Sequence, residues 1–169
     1  LDIFDATNNE TGPDGQFFSW LGQFQWVEQV SPSILSLFKV NTQLTGDSLL
    51  SLERFSLGGV GTVRGYPQNH LVTDNAFNAS AELRIPLTRD PNTLQVTPFL
   101  ETGIGWNGDG SISEDNNFLV GTGVGLRWQA LPDLFLRADY GIPLTEISDR
   151  GNSLQDNGFY FSLTYQPTN

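Results

Sequence analysis

The sequence predicts an all-β fold, an antiparallel transmembrane β-barrel of which seven or eight strands are present. Three observations predict it. Apolar and polar residues alternate with a period of two over most of the chain, and helix periodicity is absent. The connections alternate between tight, Pro-containing turns and long acidic loops. Trp20, Trp26, Trp106 and Trp128 lie near strand ends, as in an interfacial aromatic belt, and the lack of an apolar run of membrane-helix length leaves a barrel open.

Each strand follows from its own alternation. In Phe18 to Val30 the aromatics Phe18, Trp20, Phe24 and Trp26 oppose Ser19, Gln23, Gln25 and Gln29. In the next stretch Ile34, Phe38, Val40 and Leu44 oppose Lys39, Asn41 and Gln43. Phe77, Ala79, Ala81, Leu83, Ile85 and Leu87 then oppose Asn78, Ser80, Glu82 and Arg84. Val96, Pro98, Leu100, Thr102, Ile104 and Trp106 oppose Gln95, Thr97, Glu101, Gly103 and Gly105, with Phe99 an exception on the wet side. Phe118, Val120, Val124, Leu126 and Trp128 oppose Gly121, Gly123, Gly125 and Arg127. Leu134, Leu136, Ala138, Tyr140 and Ile142 oppose Arg137 and Asp139. The last strand sets Phe159, Phe161, Leu163 and Tyr165 against Tyr160, Ser162 and Thr164. These are seven strands of about 9–13 residues, enough to cross a bilayer when tilted. Leu1 to Thr7 is a candidate end of an eighth.

Tight turns fall at Ser31–Pro32, Thr88–Thr93 and Ala130–Asp133, and long loops at 46–76, Asn107–Asn117 and Thr145–Asn157. Of the 19 acidic residues, 13 lie in the long loops or the N-terminal stretch. They read as exterior charges rather than a catalytic set. Short turns on one side and long loops on the other are the pattern of an outer-membrane barrel. A soluble sandwich or lipocalin-like barrel would point the greasy face inward. Against it stand Trp20, Trp26, Trp106 and Trp128 near strand ends, as in an interfacial belt, and wet faces that carry charges and glycines.

Composition narrows the function. With 169 residues the chain is one domain in length. It has no Cys, so thiol chemistry and Cys-ligated zinc are excluded, and a single His, His70, gives no His-paired metal site and no triad geometry. A net charge of −11 opposes nucleic-acid binding. The stretch Asn107 to Glu114 has the residue types of a calcium loop, but the register places Gly105 at the first ligand and helices are missing, so it reads as an acidic exterior loop. No metal, cofactor or catalysed reaction is expected. The chain starts at Leu1 and contains no Met, and it reads as a segment of a longer precursor.

The long loop holds Arg54-Phe55-Ser56-Leu57-Gly58-Gly59-Val60-Gly61-Thr62-Val63-Arg64-Gly65-Tyr66-Pro67. Its glycines do not form a phosphate loop, since no helix and no Lys-Ser/Thr follow. Val63-Arg64-Gly65-Tyr66 resembles the loop signature of the outer-membrane protein-transport superfamily that includes the BamA insertase and the two-partner secretion transporters. Asn78-Ala-Ser-Ala-Glu82-Leu-Arg84-Ile-Pro-Leu87 is similar to the strand after that loop. Phe99-Leu-Glu101-Thr-Gly103 resembles the inner-wall motif Phe-x-Asp-x-Gly, with Glu in place of Asp. Leu136 to Leu144 resembles the penultimate strand of the haemolysin and haemagglutinin transporters of the ShlB/FhaC/HecB type, and Gly158 to Tyr165 the C-terminal strand read by the barrel-assembly machinery.

This resemblance implies a sixteen-stranded barrel preceded by POTRA domains, with this chain as its C-terminal portion and 46–76 as a loop folded into the lumen. It implies that Arg64 meets Glu101. The residues support the pair on their own terms: alternation puts Glu101 on the wet face beside two glycines, and an Arg can grip a carboxylate through two parallel hydrogen bonds. Lys39, Glu82, Arg84, Arg127, Arg137 and Asp139 are expected to line the lumen, either as a polar conduit or as a bracing ion-pair network.

The implied function is an outer-membrane translocation pore for an unfolded partner exoprotein. The implied partners are that exoprotein, outer-membrane lipid and, during biogenesis, the barrel-assembly machinery. The implied place is the outer membrane of a Gram-negative or cyanobacterial type cell, or a plastid outer envelope. The competing readings are an assembly insertase with a weak seam between first and last strands, and a small stand-alone barrel that binds a ligand or adhesin through acidic loops.

Overall fold

The structure, a computed structural model, describes residues 17–108, 117–146 and 151–167. The candidate strand end at residues 1–7 and most of the acidic stretch 107–114 lie outside them. The described residues form nine strands and no helix: β1 (Ser19–Ser31), β2 (Ile34–Thr45), β3 (Phe55–Leu57), β4 (Leu71–Thr73), β5 (Asn75–Pro86), β6 (Leu94–Trp106), β7 (Phe118–Leu131), β8 (Leu134–Pro143) and β9 (Phe159–Tyr165). Seven of them make one antiparallel sheet in the order β1-β2-β5-β6-β7-β8-β9. This is a barrel fragment whose sheet is not closed: β1 and β9 stand at its two ends. The remaining two, β3 and β4, pair with each other.

The long loop begins after β2 and ends at Asp74. The boundary expected at 76 lies two residues too far, because Asn75 pairs with Trp106 and Ala76 with Gly105 across β5 and β6. The ribbon β3–β4 inside the loop was not anticipated. A three-residue strand is too short for alternation to reveal.

Two tight hairpins are built alike. The register shifts between Gln29 and Ser31, and again between Gln129 and Leu131. In each case the Gln amide donates to the carbonyl of the turn proline, Pro32 at 2.9 Å and Pro132 at 3.0 Å. The extra residue is a bulge that tightens local twist at the end of a strand. It carries β7 on to Leu131, so Ala130 lies in the strand and only Pro132 and Asp133 form the turn.

The two sheet faces differ as the alternation requires. One face exposes Phe24, Trp26, Phe38, Leu100, Val124, Trp128, Phe159 and Phe161, the last at 80%. A soluble protein would bury such a surface, and the extent of it marks a face made for lipid. Trp20 and Trp106 lie toward the long loops, Trp26 and Trp128 toward the short turns, so aromatics sit near both ends. On the other face the loop folds down and makes a buried apolar cluster of Leu57, Val63, Tyr66, Leu71, Ala76 and Leu119. This cluster is a seam between loop and wall.

Candidate functional site

The seam exists because the wall lacks side chains where the loop lands. A methyl group on Gly103 would sit 2.9 Å from Leu57 Cδ2, and one on Gly105 would strike Thr73 and Leu71. Above that floor the loop makes a tight turn, with Gly59 N donating to Val63 O at 3.1 Å and Gly58 N to Thr62 Oγ1 at 2.8 Å. The turn aims Val63-Arg64-Gly65-Tyr66 along the inner face. Gly65 holds φ at 100°, a conformation that disfavours any side chain, and a methyl there would meet Pro143 N at 2.8 Å. Across from it, a methyl on Gly141 would run into Gly65 N and Arg64 C. Loop and β8 thus touch backbone to backbone.

Arg64 is 3% exposed and its donors are spent on three strands. Its Nε and Nη2 both reach Glu101 Oε1, at 2.9 and 2.6 Å, and its backbone N donates to Glu101 Oε2 at 2.7 Å. Nη1 donates to Asp139 Oδ1 at 2.9 Å and Nη2 to Glu82 Oε2 at 3.4 Å. The fork expected from sequence, one N–H to each carboxylate oxygen, is therefore not the geometry. Both guanidinium donors converge on one oxygen, and the second oxygen takes the main chain. Phe99 lies beneath, its ring centre 3.4 Å from Arg64 Cζ. Burial alone would lower the Arg64 pKa, but the hydrogen bond and charge of Glu101, with the charges of Asp139 and Glu82, hold it above the ordinary arginine value.

The neighbouring residues of the inner face complete a network. Arg137 Nε donates to Asp139 Oδ2 at 2.6 Å and Nη2 lies 3.5 Å from Glu82. Arg84 Nε donates to Glu82 Oε1 at 3.2 Å. Three arginines thus meet three carboxylates on β5, β6 and β8 around one loop residue. Among the described residues, Lys39 and Arg127 share this inner face but form no ion pair in it.

Tyr66 and Tyr160 lock the tip. The Tyr160 hydroxyl accepts from Gly65 N at 3.1 Å and donates to Tyr66 O at 2.9 Å. The Tyr66 hydroxyl sits among Val120 O, Thr145 N and Thr145 Oγ1, and its ring lies 5.7 Å from that of His70. His70 therefore packs within the loop. A second tether holds the loop's other end: buried Asp74 takes Arg54 Nε at 3.0 Å, Leu49 N at 3.1 Å and Gly108 N at 3.1 Å.

Sequence reasoning placed Arg64 with Glu101 but left Asp139 and Glu82 as separate lumen residues. It missed Tyr160 and Asp74. The signal for Tyr160 was the one that marked Phe99, an aromatic on a polar face.

The family model of the Omp85 superfamily domain matches residues 5–166. No curated protein sequence matches the chain. Several solved structures share its fold. BamA from Haemophilus ducreyi lacking POTRA domains 1-3 superposes with a TM-score of 0.70 at 14% identity, over 89% of this chain and 35% of that one. CdiB from Acinetobacter baumannii gives 0.68 at 21%, over 89% and 27%. CdiB from Escherichia coli gives 0.70 at 23%, over 90% and 28%. The chain thus spans between about a quarter and a third of the length of these relatives.

Proposed function

This chain belongs to the Omp85 superfamily, whose fold is that of outer-membrane transporters and insertases, and from that premise we propose that it forms part of a pore that exports an unfolded partner polypeptide of haemolysin or adhesin type. The observation that carries this reading is the anchoring of the Val63–Tyr66 tip on the inner wall by Arg64 through Glu101, Asp139 and Glu82. A loop so held occupies the lumen and presents a polar, hydrogen-bonding surface to whatever passes. On this reading the barrel has sixteen strands in all, and those beyond this chain, with the POTRA domains, belong to the length that its relatives have and it does not span. Closure is required on this reading, because unpaired strand edges are not tolerated in hydrocarbon. No chemical step is catalysed. Transport needs only that the conduit stay polar and that the loop keep its place or yield it reversibly.

The test is depletion of the full-length protein in its own cell. Export predicts that one large exoprotein disappears from the cell surface or medium while other folded barrels stay at their usual levels. General loss of folded barrels would contradict export and support the insertase.

A further inference from the structure

Beyond the loop anchor, toward the short turns, the inner face carries a cavity of about 430 Å³ lined by Arg84, Arg127 and Arg137 together with Gln95, Gln129 and Phe135. No carboxylate lines it, in a chain whose net charge is −11. Arg127 and Arg137 are directly opposed across β7 and β8. Like charges in that position destabilise a sheet unless something offsets them. Arg137 has Asp139 and Glu82, and Arg84 has Glu82, but both acids are already shared with Arg64. Among the described residues Arg127 has no carboxylate in ion-pair reach. The network balances three arginines against three acids and leaves Arg127 as surplus positive charge, half-buried beside open space.

We propose that this cavity is a binding site for the carboxylate side chains of a polypeptide in the lumen. The proposal rests on the export reading for its main source of carboxylates, the passing chain. The chemistry fits: guanidinium groups pair with carboxylates through forked, charge-assisted hydrogen bonds, and the Gln95 and Gln129 amides add neutral donors. The site lies on the face opposite the apolar one, which excludes lipid headgroups. It lies at the short-turn end, which in barrels of this kind is the periplasmic end where a chain would enter. A second source of the same chemistry is a carboxylate of the protein's own chain outside the described residues.

The experiment uses the full-length protein in planar bilayers, with oligoglutamate or oligolysine added on the short-turn side and the conductance recorded. Arg127→Gln and Arg127→Lys are compared after both are shown to give the folded, heat-modifiable barrel. A passing-chain site predicts block by oligoglutamate and not by oligolysine, weakened about tenfold in Arg127→Gln and less in Arg127→Lys, which keeps the charge without the fork. If the carboxylate belongs to the protein itself, oligoglutamate does not block, but Arg127→Gln lowers the unfolding temperature of the barrel and Arg127→Lys restores it. Equal block by both peptides, or no effect of Arg127→Gln on either block or unfolding, overturns the site. Export of the partner is measured on the same strains. A pore that exports normally while Arg127→Gln changes neither readout refutes the site alone. A pore that oligoglutamate blocks but that exports nothing refutes the export reading alone.

Discussion

Arg64 lies over Phe99, with its guanidinium carbon 3.4 Å from the ring centre. The same cation donates to Glu101, Asp139 and Glu82 around its edge. Face and edge are therefore used at once, and only a planar, delocalised cation can do both. Lys carries the charge but neither the fork nor the flat face. Arg64→Lys should therefore behave much more like Arg64→Ala than like the wild type. Both should expose the loop to added protease in intact cells, and both should lower export while the barrel still assembles. Breaking a confined pair by removing one partner costs about 3–5 kcal/mol. Unchanged export in Arg64→Ala would refute a role for the anchor in transport.

Glu101 accepts three hydrogen bonds from one residue, two from the side chain and one from the backbone of Arg64. Glu101→Asp shortens its reach by one methylene and should lose part of that set, at about 1–2 kcal/mol, while Glu101→Gln should lose more because it leaves Arg64 short of a charge. Thermal unfolding of the purified barrel ranks them; an equal loss in both would mean that reach, not charge, is what matters.

Tyr160 ties the loop tip to the last strand. Its hydroxyl bonds both Gly65 N and Tyr66 O. Tyr160→Phe removes both bonds without changing shape and should destabilise by about 1–3 kcal/mol. Hydrogen exchange should rise at Gly65 and its neighbours rather than in β9. A rise spread evenly over the sheet would contradict the tether.

The apolar face makes a separate claim about surroundings. Leu100 is 54% exposed at the middle of β6, and its neighbour Glu101 is buried on the inner face. Leu100→Arg should cost about 2–4 kcal/mol if that face meets lipid at mid-depth. Folding yield into lipid vesicles measures it. A cost near zero would place the face in water.

Much of this was legible in the residues because a strand has a strict period. Seven alternating runs gave the seven strands of the main sheet, and parity alone put Glu101, Asp139, Glu82, Arg84, Arg127, Arg137 and Lys39 on one face. What parity cannot give is which residues meet across that face. Asp139 meets Arg64 because β8 stands two strands from β6 and the loop bridges both, a relationship seventy-five residues apart in sequence. The β3–β4 ribbon, with three residues in each strand, is shorter than the period needs to show itself. Asp74 sat unnoticed beside Asn75 because its role is to collect backbone N–H groups from loop segments, and the sequence gives no register for a loop. Phe99, the exception noted in its strand, and Tyr160, on the polar side of the last strand, were among the most informative residues in the chain. Each is an aromatic on a polar wall, and each holds the loop.

The central claim is that the loop tip is docked on the inner wall and that Arg64 keeps it there. Residues 1–169 contain no cysteine, so none of them competes with an engineered thiol. Val63 is fully buried between the loop and the wall. The most direct measurement is labelling of a single Val63→Cys by a water-soluble maleimide in the full-length protein, in outer membranes, with and without Arg64→Ala. The expected result is near-complete protection with Arg64 present and rapid labelling without it. Rapid labelling with Arg64 in place, or equal protection in both, would contradict the claim.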